Sequence, residues 1–486
     1  MNLITIAKQS SLYLLENVAR RAVGFLMLPV YAHYLTPGQY GVMEILELIV
    51  GLVVITLGMQ AMGGAMVRLF NDEKDEEAGS ALVSSTMLST AAISLAIAGI
   101  AYVAAVPMSI LLFKTPEYAG LIQLAFIAMV FGNMSEVCLL YYRLGDRVRL
   151  VVMFSLLQLV AQVALNTYFI VFAGMAVWGF MWSKLIVAVA GGTILMFDVF
   201  RKVRIRWQAE SMQKVANFSL PLIATSLSVF TIHFGDRFFL NQMHTLKEVG
   251  VYSLAYKVAF LISYLVGDPF ARVWGVSLYA NAVHASWRTQ TEKVGRWLTF
   301  LLFLTGLTIC LFVSPILVIL TDRAFWGAAA VIPILVLGYI AREIGDFFKV
   351  ILYINKRTYL VARITFLCAA VNTVLNLLLI RTWGIAGAAW ATLITWLLYM
   401  VCCWTLAERE HQIAFRLSSF AKIGGLATVL FGIARLYPMG EGFWLVVQNT
   451  LLILIFCSLL VVAGYLPRGM WGTAWTSFTT ARSKTS

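Results

Sequence analysis

The chain has 486 residues, of which 61% are hydrophobic and only 12% are charged. Soluble domains carry roughly 25% charged residues, so this composition excludes a water-soluble globular protein. The formal net charge of +13 excludes little by itself, because its meaning depends on where the basic residues lie.

Long apolar stretches follow one another along the whole chain. A helix needs about 20 apolar residues to cross the hydrocarbon core of a bilayer, and backbone amides in lipid must be satisfied within the segment, which favours helices over strands. The predicted spans are 10–35, 41–66, 80–104, 118–142, 149–173, 175–199, 216–241, 249–275, 295–321, 329–353, 359–382, 385–407, 418–437 and 443–465. The sequence therefore predicts an all-α membrane protein with about 14 transmembrane helices.

The basic residues collect in alternate loops between the spans. About 22 lie on one side of the predicted helices and about 5 on the other, and the positive-inside rule assigns the richer side to the cytoplasm. Both termini are then predicted to be cytoplasmic. The positive charge is interpreted as a topology signal, with the lipid bilayer rather than nucleic acid as the partner.

The segments between spans offer little room for catalysis. They reach about 20 residues, which is too short for a soluble domain. The five histidines are scattered singly, without the spacing of a metal site or a catalytic triad, and no phosphate-binding Walker loop occurs. No catalytic residue, metal or cofactor is predicted, and the chain is not expected to be an enzyme. Transport would draw its energy from a gradient, with H+ or Na+ as possible coupling ions, or from the later fate of the substrate itself.

The two halves of the chain repeat each other at an offset of about 209 residues. The segment 35–42 opens the second span as 245–252 opens the eighth, and Gly179 aligns with Gly387 near the other end. Each repeat holds six spans, an even number, so both insert the same way up as a parallel repeat. The predicted domains are an N-lobe (1–205), a C-lobe (206–410), and two additional helices with a basic tail (411–486).

Several ionisable residues fall inside predicted spans, where they usually line a protein interior or an aqueous cavity. Basic side chains in such a cavity would attract an anionic substrate such as a phosphate. The candidate substrate-binding residues are Arg20, Arg21, Lys184, Lys257 and Arg342. The candidate coupling or ion-pair residues are Glu16, Glu44, Glu47, Asp236 and Asp346. The alternative reading is that these charges form structural ion pairs that hold helices together.

Spacing predicts some of these pairs. Glu16 with Arg20 and Arg342 with Asp346 lie four residues apart on one helix face. Asp236 and Lys257 lie at similar depth on either side of one hairpin. A polar face in span five, formed by Gln158, Gln162 and Asn166, is predicted either to line the cavity or to bond between helices.

Proline and glycine mark candidate hinges for alternating access. Pro29 and Pro269 each remove one hydrogen bond from a helix, and Gly24 and Gly267 lie nearby. Pro221 is predicted to fall in the first turn of span seven, where proline is tolerated.

Three groups of motifs resemble a known family. The first is GFLMLPVY (24–31) followed by YLTPGQYG (34–41). The second is FSLPL (218–222), DRFFL (236–240) and GVYSLAY (250–256), and the third is NLLLI (376–380) followed by GIAGAAWAT (384–392). Together they resemble the polysaccharide transport branch, the Wzx-type oligosaccharide flippases, of the multidrug/oligosaccharidyl-lipid/polysaccharide exporter superfamily.

This resemblance implies two six-helix lobes around a central cavity in a bacterial inner membrane. It also implies movement of a polyprenyl-diphosphate-linked oligosaccharide, such as an O-antigen, capsule or exopolysaccharide repeat unit, from the cytoplasmic to the periplasmic leaflet. Cations in the cavity would contact the diphosphate or acidic sugars, a role carried over here to Arg20, Arg21, Lys184 and Lys257. The polymerase and chain-length proteins of a polysaccharide assembly system are the expected partners.

Other functions stay open at this stage. A peptidoglycan-precursor flippase also has fourteen helices, with basic residues in its first. A cation-coupled drug antiporter of the same superfamily predicts acidic sites and needs no cavity cations. An integral-membrane glycan polymerase would place catalytic groups on a large external loop, and a proton-pumping respiratory subunit would need paired Lys and Glu in broken helices.

Overall fold

A computed structural model of the protein describes residues 24, 26–72, 76–145, 147–203, 205–281, 287–354, 357–411, 417–438, 440 and 442–465. Within these residues the regular structure is helical throughout. The helices are α1 (Leu28–Tyr34), α2 (Pro37–Thr56), α3 (Met59–Asp72), α4 (Glu76–Val103), α5 (Ala105–Phe113), α6 (Ala119–Leu144), α7 (Val148–Thr167), α8 (Ala176–Lys202), α9 (Ala209–Met243), α10 (Leu246–Ile262), α11 (Asp268–Asn281), α12 (Trp287–Leu320), α13 (Ala328–Ile354), α14 (Thr358–His411), α15 (Leu417–Leu436) and α16 (Phe443–Val462).

Eleven helices of the described residues are long and apolar enough to cross a membrane. One of them, α14, contains a break at Gly384, whose φ of 53° and ψ of −128° separate 358–383 from 385–411. The predicted boundary between spans 359–382 and 385–407 lies at this break. The all-α membrane fold is confirmed, while the total of 14 spans and the cytoplasmic termini stay predictions.

Two predicted helix boundaries are wrong. Span 41–66 is divided into α2 and α3 at Gly58, whose φ of +67° is a backbone conformation that ends a helix. Span seven was predicted to begin near residue 216, but α9 begins at Ala209, so Pro221 lies inside the helix rather than in its first turn. The added turns are polar, and a search for apolar length does not detect them.

Two glycines at the starts of α2 and α10 contact each other's helix at positions that the internal repeat makes equivalent. A Cβ added at Gly41 would overlap the carbonyl oxygen of Leu246 and lie 3.3 Å from the amide nitrogen of Gly250. A Cβ added at Gly250 would overlap the carbonyl oxygen of Pro37 and lie 3.2 Å from the amide nitrogen of Gly41. Adding 209 to the residue numbers of one contact gives the residues of the other. The two helix starts are therefore related by a local pseudo-two-fold axis.

The same two helix starts are capped alike. The Thr36 hydroxyl accepts a hydrogen bond from the backbone of Gln39 (3.2 Å), and the Gln39 side chain accepts one from the backbone of Thr36 (3.0 Å). At the repeat-equivalent position, the Thr245 hydroxyl accepts a bond from the backbone of Glu248 (3.3 Å). This capping pattern satisfies backbone donors that have no partner within the helix. The motif LTPGQYG therefore encodes a cap followed by a close helix contact.

The described chain forms two compact units. Unit 1 comprises the described parts of Met1–Leu254, with Leu320–Phe325 and Thr373–Ala388. Unit 2 comprises the described parts of Ala255–Ile319, Trp326–Asn372 and Ala389–Ser486. In unit 1 a buried apolar core joins α3, α4, α6 and α8 through residues such as Met66, Val83, Cys138 and Val199. The predicted lobes, 1–205 and 206–410, group the chain by sequence repeat and stay a prediction.

Candidate functional site

The structure places the predicted charged residues that it describes in two ion-pair networks, in one separate ion pair and, for Lys257, on α10. Unit 1 holds a network around Arg237 and a pair between Lys184 and Glu47, and unit 2 holds a network around Arg342. Lys257 lies half-buried in α10. Three predicted residues, Glu16, Arg20 and Arg21, lie outside the described residues.

Arg237 is a buried cation that the sequence places inside a predicted span but that was not among the candidate substrate-binding residues. Its side chain is 2% exposed, and its Nε lies 3.6 Å from Glu44 Oε2 and donates to Ser253 Oγ at 3.0 Å. Its Nη1 donates to the carbonyl oxygen of His233 at 2.8 Å and lies 3.6 Å from Asp236 Oδ1. One guanidinium thus joins α2, α9 and α10, with five donors in a planar fork that suits several acceptors at once.

Asp236 completes this network as a fully buried carboxylate. Its Oδ1 accepts a hydrogen bond from the backbone of Arg237 (2.8 Å), and its Oδ2 accepts one from the Tyr252 hydroxyl (2.5 Å). Buried charges are tolerated only when they are paired and hydrogen-bonded, and Asp236 meets both conditions. The predicted pairing of Asp236 with Lys257 stays a prediction.

Two of the residues that Arg237 contacts lie at equivalent positions of the internal repeat. Glu44 and Ser253, both of which it contacts, occupy equivalent positions in the two repeats, 209 residues apart. Residue 237 itself corresponds to Leu28, an apolar residue. The charge network is therefore an asymmetric feature built on a symmetric helix contact.

A second network surrounds Arg342 on α13. The predicted pair with Asp346 is confirmed, with Nη2 to Oδ2 at 3.7 Å, and Nη1 lies 3.2 Å from Glu343 Oε1. Lys349 pairs with Asp346, whose Oδ1 also accepts a bond from the Tyr399 hydroxyl at 2.9 Å. Two cations and two carboxylates face one another, so this network is balanced in charge.

Aromatic rings enclose the guanidinium of Arg342. Its Cζ lies 5.6–5.9 Å from the ring centroids of Phe260, Tyr339 and Trp396. Cations within about 6 Å of an aromatic face are stabilised by the ring quadrupole. Arg342 is thus held by carboxylates and by three rings, which is the arrangement of a positioned structural cation.

Gly267 matters because Glu343 lies against its backbone. A Cβ at Gly267 would overlap the Glu343 carboxylate, which also accepts a bond from Ser263 Oγ at 2.5 Å. Ser263–Gly267 form a π-helical turn between α10 and α11, and Pro269 is the second residue of α11. A π turn accommodates a proline that cannot donate to an α-helical ladder. The predicted hinge coincides with this irregular turn, and its motion stays a prediction.

The first predicted hinge lies at another helix break. Met27 separates α1 from the chain before it, and Pro29 lies in the first turn of α1. Gly24 is exposed, with open space around the position of an added Cβ. Proline fits a first turn because its missing N–H would have no partner there. Motion at this hinge also stays a prediction.

A polar cavity of about 240 Å³ opens in unit 1 between α6, α7 and α8. Its polar lining residues are Ser135, Glu136, Ser155, Gln158, Gln162 and Lys184. Gln158 and Gln162 of the predicted polar face line this cavity, and both also donate hydrogen bonds to other helices, at Ser135 and Ser183. Asn166 instead bonds between helices. It is buried, donates to the Tyr31 hydroxyl at 2.8 Å and forms a hydrogen bond with Ser183.

Lys184 lies at the cavity wall with a partner from another helix. Its ammonium pairs with Glu47 of α2, and the two side chains are 29% and 41% exposed. The partial exposure of both side chains leaves the Lys184 ammonium accessible from the cavity that it lines. The sequence marked both residues as candidates but did not predict that they pair, since 137 positions separate them.

The comparisons with known proteins agree with this architecture. Residues 6–274, more than half of the chain, match the family described as polysaccharide biosynthesis protein. The chain belongs to this family. As a member of the polysaccharide biosynthesis protein family, it carries the cavity and the Arg237 network within the matched region. A search of curated protein sequences found no significant match.

Solved structures show which fold this family member has. The lipid II flippase MurJ in an inward closed conformation matches with a TM-score of 0.76 at 15% identity, over 92% of this chain and 98% of that chain. An inward-facing multidrug resistance MATE transporter of the MOP superfamily matches at 0.65 and 14%, over 84% and 95%. A variant of the MATE transporter VcmN from Vibrio cholerae matches at 0.57 and 17%, over 85% and 99%. The predicted superfamily fold is confirmed.

Proposed function

We propose that the protein is a flippase that moves a polyprenyl-diphosphate-linked oligosaccharide from the cytoplasmic to the periplasmic leaflet of a bacterial inner membrane. The observation that carries this proposal is the polar cavity between membrane-spanning helices of a chain in the polysaccharide biosynthesis protein family. An amphipathic substrate crosses a bilayer only if its polar head is kept from the acyl chains, and such a cavity offers that shelter.

The fold suits alternating access. Parallel repeats in transporters move against each other about a substrate site. In this chain, equivalent helix starts of the two repeats are in contact at Gly41 and Gly250. Helix breaks at Gly58, Gly384 and the π turn before Pro269 supply positions at which helices can bend. The polymerase and chain-length proteins of a polysaccharide assembly system would take up the delivered units.

Loss of the protein should trap its substrate on the cytoplasmic side. In a bacterium that makes a surface polysaccharide through this gene, we expect deletion to remove surface polymer and to accumulate lipid-linked repeat units at the inner leaflet. The measurement is extraction and mass spectrometry of the lipid-linked pool. Accumulation of peptidoglycan precursors instead would indicate the lipid II flippase alternative. Normal polymer and precursor levels in a strain without a second flippase would contradict the proposal.

Lys184 tests whether the cavity takes part in transport. We expect Lys184→Ala to reduce export about tenfold at unchanged protein abundance, because the cavity wall loses its cation and Glu47 loses its partner. The matched control is Lys247→Ala, which removes an exposed lysine of unit 1 outside the cavity. Surface polymer per molecule of protein is the measured quantity. Full export by Lys184→Ala would make the pair a purely structural feature.

A further inference from the structure

The segment that connects α8 to α9 lies along α4 in unit 1. The backbone amide of Arg206 donates to Ser84 Oγ at 2.9 Å, and the Ser85 hydroxyl donates to the carbonyl oxygen of Arg206 at 3.3 Å. The backbone amide of Gln208 donates to Ser85 Oγ at 2.9 Å. Because serine side chains of a helix satisfy these main-chain groups, the connection is held against the protein instead of extending into water.

This connection presents apolar side chains outward, near the lipid-facing part of α4. Ile205 is 65% exposed and Trp207 is 58% exposed, and the Trp207 indole donates to Ser89 Oγ at 3.4 Å. Leu95, less than two turns further along α4, is itself exposed. An exposed apolar side chain on a membrane-spanning helix faces acyl chains, and tryptophan is enriched at the boundary between acyl chains and water. Trp207 therefore lies at the level of the lipid headgroups.

The last turns of α8 approach the same boundary. Ile194 and Phe197 are exposed on one face of this helix, and Arg201 follows on that face one turn after Phe197. The Arg201 Cζ lies 4.1 Å from the centroid of the Phe197 ring. An apolar helix face that ends in a cation is typical of a helix that passes from acyl chains to headgroups.

Two arginines at this boundary have no carboxylate partner. Arg201 and Arg206 are exposed, and neither guanidinium pairs with a carboxylate of the described residues. The neighbouring Lys202 is different, because it pairs with Asp198 within α8. The charge that this boundary offers to a ligand is therefore positive.

We propose that Arg201, Ile205, Arg206 and Trp207, here called the linker surface, bind the headgroup of an anionic phospholipid. Arginine suits the phosphate because it donates paired hydrogen bonds to its oxygens. The acyl chains would follow the exposed face of α8 at Phe197. Bilayer phospholipids reach this level at far higher concentration than a transported lipid, so they are the expected occupants. The inference holds whichever substrate the protein moves.

The test measures lipid binding to the purified, full-length protein. Native mass spectrometry would give the bound fractions of phosphatidylglycerol and phosphatidylethanolamine with the same acyl chains. Each basic residue near an anionic lipid surface strengthens binding about fivefold. We therefore expect Arg201→Gln/Arg206→Gln to lower the bound fraction of phosphatidylglycerol by about tenfold or more, and to change that of phosphatidylethanolamine less than about twofold.

Two further variants separate the site from overall charge. Arg201→Lys/Arg206→Lys keeps both charges and should retain phosphatidylglycerol within about threefold of the wild type. Arg288→Gln/Lys293→Gln removes two exposed cations from the polar first turns of α12 and should bind both lipids as the wild type does.

Three results would overturn the inference. The first is an unchanged phosphatidylglycerol fraction in Arg201→Gln/Arg206→Gln. The second is an equal loss of both lipids in that variant, or an equal loss of phosphatidylglycerol in the α12 variant, because neither would reflect a headgroup site at the linker surface. The third is displacement of phosphatidylglycerol from the wild type by an equal concentration of sugar-free polyprenyl diphosphate, which would assign the linker surface to the transported lipid.

Discussion

Replacing Arg237 by methionine should be among the most destabilising single substitutions in the protein. The change leaves Asp236 and Glu44 buried in helical packing without their shared cation. Breaking a buried ion pair from one side typically costs about 3–5 kcal/mol of unfolding free energy, because an uncompensated charge remains. We expect a lower yield of monodisperse protein and a lower melting temperature in detergent, measured by fluorescence-detected size exclusion after heating.

Removing charge on both sides should recover part of this loss. Asp236→Asn/Arg237→Met eliminates one buried carboxylate together with the cation, so it should melt above Arg237→Met alone. The matched control, Arg149→Met, removes an exposed arginine of α7 and should melt within a degree or two of the wild type. If Arg237→Met were as stable as this control, the network would contribute nothing to folding.

Gly41→Ala is the second substitution with a large expected effect. The added methyl group would overlap the carbonyl oxygen of Leu246, which belongs to a capped helix start and cannot move as a side chain would. Overpacking costs typically about 1–3 kcal/mol, and a backbone obstacle places this case at the upper end. The expected result is a lower melting temperature, together with lower export per molecule because α2 and α10 are forced apart.

The control for this prediction is another helical glycine. Gly64 of α3 has open space where a Cβ would be added, so Gly64→Ala should be neutral or slightly stabilising. Gly250→Ala should repeat the effect of Gly41→Ala through the repeat-equivalent contact. Tolerance of alanine at both positions would show that the two helices are not in close contact in the folded protein.

The sequence predicted the spans well because their cause is local. Apolar length determines where a helix crosses a bilayer, and eleven helices of the described residues have that length. It could not predict the break at Gly58, since glycine also occurs inside membrane helices without a positive φ. It also missed the first turns of α9, because they are polar and the spans were predicted from apolar length alone.

Side-chain partners were predicted only where they are close in sequence. Arg342 and Asp346 lie one turn apart, so helix geometry alone brings them together. Lys184 with Glu47 and Arg237 with Glu44 meet across helices, and these pairs depend on the packing angle and depth of each helix. Apolar patterning does not specify either quantity.

Only part of the polar cavity lining was predicted, again because sequence spacing defines one helix but not its neighbours. Spacing placed Gln158, Gln162 and Asn166 on one face of a helix, and the structure keeps the first two at the cavity. Asn166 differs because its side chain is hydrogen-bonded to Tyr31 and Ser183, which belong to two other helices. One segment determines which residues share a helix face, whereas the neighbouring helices determine which of them line a cavity and which bond to protein groups.

The reciprocal contact of Gly41 and Gly250 restricts how the duplicated halves can diverge. Most tight contacts tolerate a larger residue on one side when a smaller one replaces its neighbour. Here each glycine faces the main chain of the other repeat, and neither partner can shrink further. A larger residue at either glycine therefore cannot be compensated by a smaller residue at the other.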